Sequence, residues 1–564
     1  MEPTADFIIV GGGTSALLLA SRLASRPSKP RVLVIEAGPS HSSSPNLRNP
    51  SDRYSLASTN PELDHGYMAV EQKGLNGRVL PYARGKGLGG SSLINFMVWL
   101  CGCKEDYDSW AEIVGDDGWG WENTRRHLNE IENYHVEVEE GLKSVADPSF
   151  DGHGHAGSDK DSRPVGVSFP KIWEKGVKEF ILEGPKLGVS INKDLNSGNL
   201  IGLGMSPLSS ENGLRTTSAS ANLKTVPDNL EIWTDAPVAR VLFESKRAVG
   251  VVLLDGRKAG TIDTPKLLLL SGIGPASTLT EHKIPIIAEL DGVGQKLLDH
   301  PAIFFSALMK PGYGIGERIA FSRSQIVDQK VDEAEKQNQT LAVMFNKVER
   351  LYESKEFLAL GEKEREFLKR EGAPTYEAAF GGPIYPPTLE AEIPEGYEYL
   401  SVVVFEMNSQ SHGSVSISSS NPVDPPLLNL GTFTDPTGFD VKVVKESIRD
   451  VVHFFEGTEM YKQGFVRWLA GPGDLGTGED EDRELEKLVR ENSIPVWHGC
   501  GTVKMGREGE EGTCVGSDFK VLGTAGLRVV DMSAAPVLIS GHTQASAYLI
   551  GAMGAEKLIE EYGL

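Results

Sequence analysis

The stretch VWHGCGTVKMG, residues 496–506, sets one imidazole, that of His498, among three glycines. Imidazole titrates near working pH, so a histidine surrounded by bare backbone suits taking a proton from a substrate group. A buried histidine satisfied inside a glycine turn reads the same way from the residues alone. A metal role with Cys500 fails, because tetrahedral zinc needs four ligands at recognisable spacings and nothing in the chain completes the set. At the other end of the chain, Gly11, Gly13 and Ala16 fit G-x-G-x-x-G/A. In that pattern the first glycine makes a tight turn and the second lets backbone approach a pyrophosphate at a helix N-terminus. Glu36 follows Gly13 by 23 positions, near the spacing of a carboxylate that binds a ribose 2′-hydroxyl. Such a carboxylate would repel a 2′-phosphate. FAD and NAD share the adenosine diphosphate half, so this fingerprint does not choose between them.

The elements that must position these residues follow from periodicity. DFIIV reads as a short strand, GGGTSALLLASRL as a glycine turn entering a helix, and RVLVIEAG as a second strand ending at Glu36. ARGKGLGGSSLINFMVW, residues 83–99, gathers glycines and hydroxyls before an apolar run. It reads as main chain able to lie against a flat or phosphorylated ligand, or as a flexible loop. GTIDTPKLLLLSGIGP, residues 260–275, reads as a buried apolar segment between two glycine turns.

Composition excludes several function classes. The chain has 564 residues, enough for two to four domains, with the 39% hydrophobic and 24% charged content of a globular protein. A net charge of −23 would repel phosphate backbones and anionic membrane surfaces, which argues against nucleic acid and membrane partners. No apolar stretch reaches the length of a membrane span. MEPTADFIIV carries neither a basic region nor a long apolar run, so a cytoplasmic location is the expectation. The cysteines Cys101, Cys103, Cys500 and Cys514 suit a reducing compartment, and Cys101 and Cys103 read as a pair of buried thiols. His153 and His155 fall in a Gly/Asp/Ser-rich loop and read as solvated.

Taken together, these stretches resemble the glucose–methanol–choline (GMC) oxidoreductase family of FAD enzymes. Residues 85–99 look like its first signature and residues 260–274 like its second. DYDSWAE (106–112), GWGWEN (118–123), DGVGQKLLDHP (291–301), HGCGTVKMG (498–506) and residues 526–559 match family blocks in family order. Only 310–400 matches weakly. The resemblance implies that His498 faces the flavin N5 edge and takes the substrate hydroxyl proton. It implies that His542, 44 positions on, helps to hold the alcohol oxygen. Hydride does not leave an alcohol carbon readily until the oxygen begins to lose its proton.

By the same resemblance Gly11, Gly13, Thr14, Ser15 and Glu36 hold the ADP portion, and Val238 makes an adenine-side backbone contact. Arg84, Gly89, Gly90, Ser91, Asn95, Phe96 and Met97 wrap the pyrophosphate and flavin. Asp531, Met532, Thr543 and Gln544 close over the ribityl chain and ring. Members that bind FAD covalently carry a histidine where this chain has Leu93, so non-covalent FAD is expected.

The expected fold is α/β. A Rossmann-like FAD-binding domain is assembled from residues 1–155, 215–305 and 500–564, and an α+β substrate domain with an antiparallel sheet from 156–214 and 306–499. Residues 396–418 read as alternating strands under a substrate pocket, and 324–371 as a solvated helical cap. One departure stands out. The family inserts a strand ending in Ser-Ala-Gly before its second signature, whereas here RKA passes straight into GTIDTP near 256–261. A missing strand would leave an exposed edge beside the cofactor and weaken its retention. The expected activity is oxidation of a primary or secondary alcohol in intracellular secondary metabolism, with oxygen or another molecule as final acceptor. A lyase using flavin only structurally, and a flavin-free binding protein, are the alternatives.

Overall fold

The computed structural model describes the chain apart from residues 1–4, 42–44, 51–52, 54–55, 57–59, 136–137, 139, 148–162, 170–175, 255–261, 315–340, 383, 386–388, 390–391 and 474–477. Short β-branched runs make the first two strands, β1 (Phe7–Val10) and β2 (Val32–Ile35), with helix α1 (Thr14–Ala24) between them. They pair in parallel from Phe7 opposite Val32 to Val10 opposite Ile35. β3 (Leu230–Trp233) pairs in parallel on the other side of β2. Gly11 takes a left-handed φ of +93°, and its N–H donates to the Ile35 carbonyl at 2.8 Å. That turn delivers the first turn of α1, with its unpaired N–H groups, to the carboxyl end of the sheet.

β1 and β3 are the edges of this three-stranded sheet among the described residues, and Ile8 on β1 is 39% exposed. The shortened segment near 256–261 lies outside the described residues, as do His153 and His155. An antiparallel hairpin, Val238–Glu244 with Arg247–Leu253, follows β3. Within 260–275 the described part begins as helix α2 (Asp263–Leu270), which buries Leu268 and Leu269.

The second layer is an antiparallel sheet. Its strands are β4 (Pro301–Met309), β5 (Ala342–Asn346), β6 (Tyr376–Phe380) and β7 (Glu398–Glu406). After helix α3 (Phe439–Gly457) comes the edge strand β8 (Phe465–Ala470). The order is β8–β4–β7–β6–β5 and then Gly202–Met205. Because side chains alternate along a strand, registers decide which residues share a face: Phe304 lies opposite Val403, and Phe405 opposite Glu377. That face lines a cavity. The other face is covered by α3, where Phe380 meets Phe454.

Two expectations change here. In 396–418 only Glu398–Glu406 belongs to this sheet; Gly413–Ser416 pairs with Gln295–Leu297 and Leu427–Asn429 in a separate one. In 324–371, residues 324–340 lie outside the described residues, and the rest of the segment opens with the buried strand β5 rather than a solvated helix. The apolar AVMF core of β5 is short, and the charged composition around it masks its burial. Among the described residues of that segment the helices are a 3-10 turn at Glu349–Glu353 and the short α-helices Lys355–Leu358 and Glu362–Lys369.

The C-terminal helix α4 (Gln544–Tyr562) closes the fold onto its beginning. The Ser15 hydroxyl donates to the Ala547 carbonyl at 2.7 Å. A Cβ on Gly551 would stand 2.4 Å from the Ser15 carbonyl oxygen, so only glycine permits this crossing of α1 and α4. No helix among the described residues is long and apolar enough to cross a membrane.

Candidate active site

His498 sits on a turn that is braced from below by Asp299. One oxygen of that carboxylate accepts the backbone N–H groups of His498 and His300, each at 2.8 Å, and the other accepts the Tyr82 hydroxyl at 2.7 Å. Burial pushes the Asp299 carboxyl up to about 6, against the lowering effect of the Tyr82 bond. A Cβ on Gly499 would meet the Tyr82 oxygen at 2.4 Å, which explains the glycine after the histidine. The Arg84 guanidinium donates to the Trp497 carbonyl. Trp497 itself holds a left-handed φ of +64°, a conformation that bulky residues keep only where surroundings enforce it.

His542 arrives from the turn before α4. Asp106 holds that turn by accepting the Ser540 N–H at 2.8 Å and its hydroxyl at 3.0 Å, and also takes the Cys103 N–H. The two imidazoles meet: the centroids of His498 and His542 lie 4.9 Å apart at 72°. Nε2 of His542 is 3.0 Å from a Glu377 carboxylate oxygen on β6, whereas Nδ1 of His498 is 3.0 Å from Nδ1 of a third histidine, His300.

These partners divide the pair. The carboxylate beside His542 accepts its Nε2–H. Among the described residues no anion stands against the His498 ring; burial above all, then the neighbouring His542, His300 and Arg84, hold it well below the ordinary histidine value. His498 is therefore neutral at working pH, with a lone pair available to a hydroxyl proton.

Both rings open on one cavity of about 1100 Å³, more than a single drug-sized ligand fills. Gly11, Gly13, Thr14, Ser15 and Glu36 line its far end. Arg84, Gly90, Ser91, Asn95, Phe96 and Met97 line the middle, and Val238 stands on the wall formed by the hairpin. Asp531, Met532, Thr543 and Gln544 line it on the side of α4. Gly89, expected to wrap the cofactor, directly precedes Gly90 in the same turn. Its φ of +115° and its N–H, donated to the Gly12 carbonyl at 2.8 Å, shape the turn behind Gly90.

A flavin dinucleotide suits this lining. A Cβ on Gly11 or Gly13 would meet nothing within 4 Å, so both glycines face open space, while Gly90 packs so closely that its Cβ would lie 2.8 Å from Gly13 Cα. Both Glu36 oxygens accept backbone N–H groups, from Gly12 at 2.6 Å and Gly38 at 2.8 Å. The backbone of Gly87 and Ala37 also approaches this carboxylate, which lines the cavity where a ribose would lie. The Gln544 side chain lines the cavity and approaches the buried Tyr548 hydroxyl. Leu93 is buried outside the lining.

Besides Asp299, Tyr82 and Asp106, which brace the two histidine turns, sequence reasoning missed Glu377, His300 and Arg215. Glu377 lies in the stretch where the resemblance is weak, and His300 lies in a quoted block without a spacing rule that links it to His498. Arg215 is fully buried, and its guanidinium donates to the Asn95 carbonyl at 2.8 Å and the Asn95 side-chain oxygen at 2.7 Å. It holds the Gly/Ser-rich loop in the shape that Met97, at φ +67°, completes. Cys101 and Cys103 are buried thiols away from the cavity.

Comparison with known proteins agrees with this geometry. Residues 5–302 and 409–551 match the N- and C-terminal parts of the GMC oxidoreductase family. The chain is 30% identical over 578 residues to an alcohol dehydrogenase (acceptor) from Pseudomonas putida, covering 99% of this chain and 96% of that one. It is 28% identical to pyranose dehydrogenase 3 from Leucoagaricus meleagris, covering 99% and 93%. An FAD-dependent oxidoreductase from Chaetomium thermophilum shares the fold at a TM-score of 0.81 with 25% identity over all of both chains. The matched spans take in the glycine turn after β1 and both facing histidines, and the chain belongs to the GMC oxidoreductase family.

Proposed function

We propose that this protein oxidises a primary or secondary alcohol with non-covalently bound FAD, with His498 as the base. The observation that carries the reading is the meeting of the two imidazoles at the cavity, one neutral and one beside a carboxylate. When bound, FAD supplies the acceptor for the carbinol hydride. His542, held by Glu377, helps to hold the alcohol oxygen, and His498 removes the hydroxyl proton. Phe304, Phe405 and Tyr385 supply apolar surface that keeps water from the reacting carbon. Oxygen or another molecule then takes the electrons, and the enzyme works in the cytoplasm.

The test is an absorption spectrum of the purified protein, followed by alcohols added without air. A yellow protein whose flavin bleaches with at least one alcohol is the expected result. Bound flavin that no alcohol bleaches would support a lyase, and colourless protein a binding role. Acid precipitation should release all of the flavin into the supernatant; colour retained in the pellet would contradict non-covalent binding.

The brace under His498 gives a pH dependence. Below about 6, Asp299 gains a proton and can no longer accept all three of its donors, so kcat/KM should fall as pH drops through that value. The Tyr82 bond lowers the Asp299 value, so Tyr82→Phe should raise it and move the acid edge to higher pH. An edge that stays in place or moves down would remove Asp299 from this role.

A further inference from the structure

The ring of His300 is fully buried, does not line the cavity, and meets His498 edge to face at 85° with centroids 5.2 Å apart. Its Nδ1 is 3.0 Å from Nδ1 of His498. A contact of that length between two ring nitrogens holds one proton: one nitrogen donates and the other offers a lone pair. Burial, then the nearby His542, pushes His300 down to about 3, so it stays neutral and carries a single N–H.

Two arrangements satisfy this. If His300 donates, His498 must carry its own proton on Nε2, the nitrogen left for the cavity, and then has no lone pair for a hydroxyl proton. If His300 accepts, His498 carries its proton on Nδ1 and Nε2 is free to act as base. The second arrangement requires a proton on Nε2 of His300. That atom has no partner at normal hydrogen-bond distance among the described residues, though the backbone of Ile539 lies near enough to favour a proton there.

We propose that His300 is a positioning residue that accepts the Nδ1 proton of His498 and so presents the His498 Nε2 lone pair to the substrate. It does for His498 what an orienting carboxylate does for a catalytic histidine elsewhere, without adding a charge. A neutral orienter suits this place, because the second imidazole already has Glu377 as its anion. The proposal rests on the reading of His498 as the base. The groups that act on the His498 ring are His300, His542 and Arg84, with Asp299 holding its backbone.

The direct test is a long-range ¹H–¹⁵N correlation spectrum of the flavin-loaded protein labelled with ¹⁵N-histidine, with the His498 signals assigned by their loss in His498→Ala. The expected result is a neutral ring protonated on Nδ1. A ring protonated on Nε2 would overturn the proposal. Two variants add a functional reading. His300→Leu removes the acceptor and should slow anaerobic flavin bleaching about 100-fold, the lower part of the range for a general base, at unchanged flavin content. His300→Asn returns an amide oxygen close to the position of Nδ1 and should recover to within about tenfold of wild type. Equal rates in His300→Leu and wild type across the pH profile would also overturn it. If no alcohol bleaches the wild type, the oxidase reading falls, yet the spectrum still decides where the His498 proton lies.

Discussion

His498→Ala is expected to slow substrate-dependent flavin bleaching by about 10³-fold while the purified protein stays yellow, the middle of the range for removal of a general base. The size follows from the placing of the ring. Its backbone is fixed by Asp299, its Nδ1 is committed to His300, and His542 stands 4.9 Å away. His300, the neutral imidazole that touches it, does not line the cavity. Flavin retention should be unaffected, since the glycine turns and α1 that would hold the dinucleotide lie at the far end of the cavity. Rapid mixing without air measures the rate, and the absorption ratio of flavin to protein checks the loading. Bleaching at the wild-type rate would remove His498 from its role.

Gly90→Val should abolish the yellow colour. Gly90 holds φ at +55°, and its Cβ would lie 2.8 Å from Gly13 Cα, so the side chain would have to displace the turn over which a pyrophosphate would lie. A β-branched residue at positive φ costs about 1–3 kcal/mol before any clash is counted. At 1.4 kcal/mol per decade, strain and clash together should weaken flavin binding by at least about 100-fold. Gly188→Ala serves as control: it is also left-handed, at φ +83°, but a Cβ there meets nothing within 4 Å. Fluorescence titration of the apoprotein with FAD would measure both, and a wild-type affinity in Gly90→Val would show that this turn does not form the cradle.

The dinucleotide half of the site was legible because it is local. The strand, glycine turn, helix and second strand between Phe7 and Ile35 fall within one residue of where periodicity and glycine spacing put them. Glu36 was found by counting from Gly13.

The chemical half depends on long-range assembly. His498 and His542 lie 44 positions apart on two turns, and nothing in either turn specifies that they meet; the family resemblance supplied the pairing. Glu377 was invisible for a further reason. It sits in TYEAAFGG, where a carboxylate in a short strand reads as a solvated residue, yet β6 is a buried inner strand and turns it onto the cavity at 1% exposure. Its register opposite Phe405 on β7, from a stretch with no family match, decides that contact. β5 was missed likewise, since five residues between charged segments carry too little pattern to outweigh their surroundings.

The most direct test of the central claim, that a proton leaves an alcohol for His498 as its carbinol hydrogen leaves for bound flavin, is the isotope dependence of anaerobic bleaching. An alcohol that bleaches the wild-type protein would be compared with the same alcohol deuterated at the carbinol carbon. Slower bleaching by the deuterated alcohol is the result predicted here. Equal rates for the two alcohols in a protein whose bleaching step is otherwise substrate-limited, or flavin that stays oxidised with every alcohol tried, would contradict it.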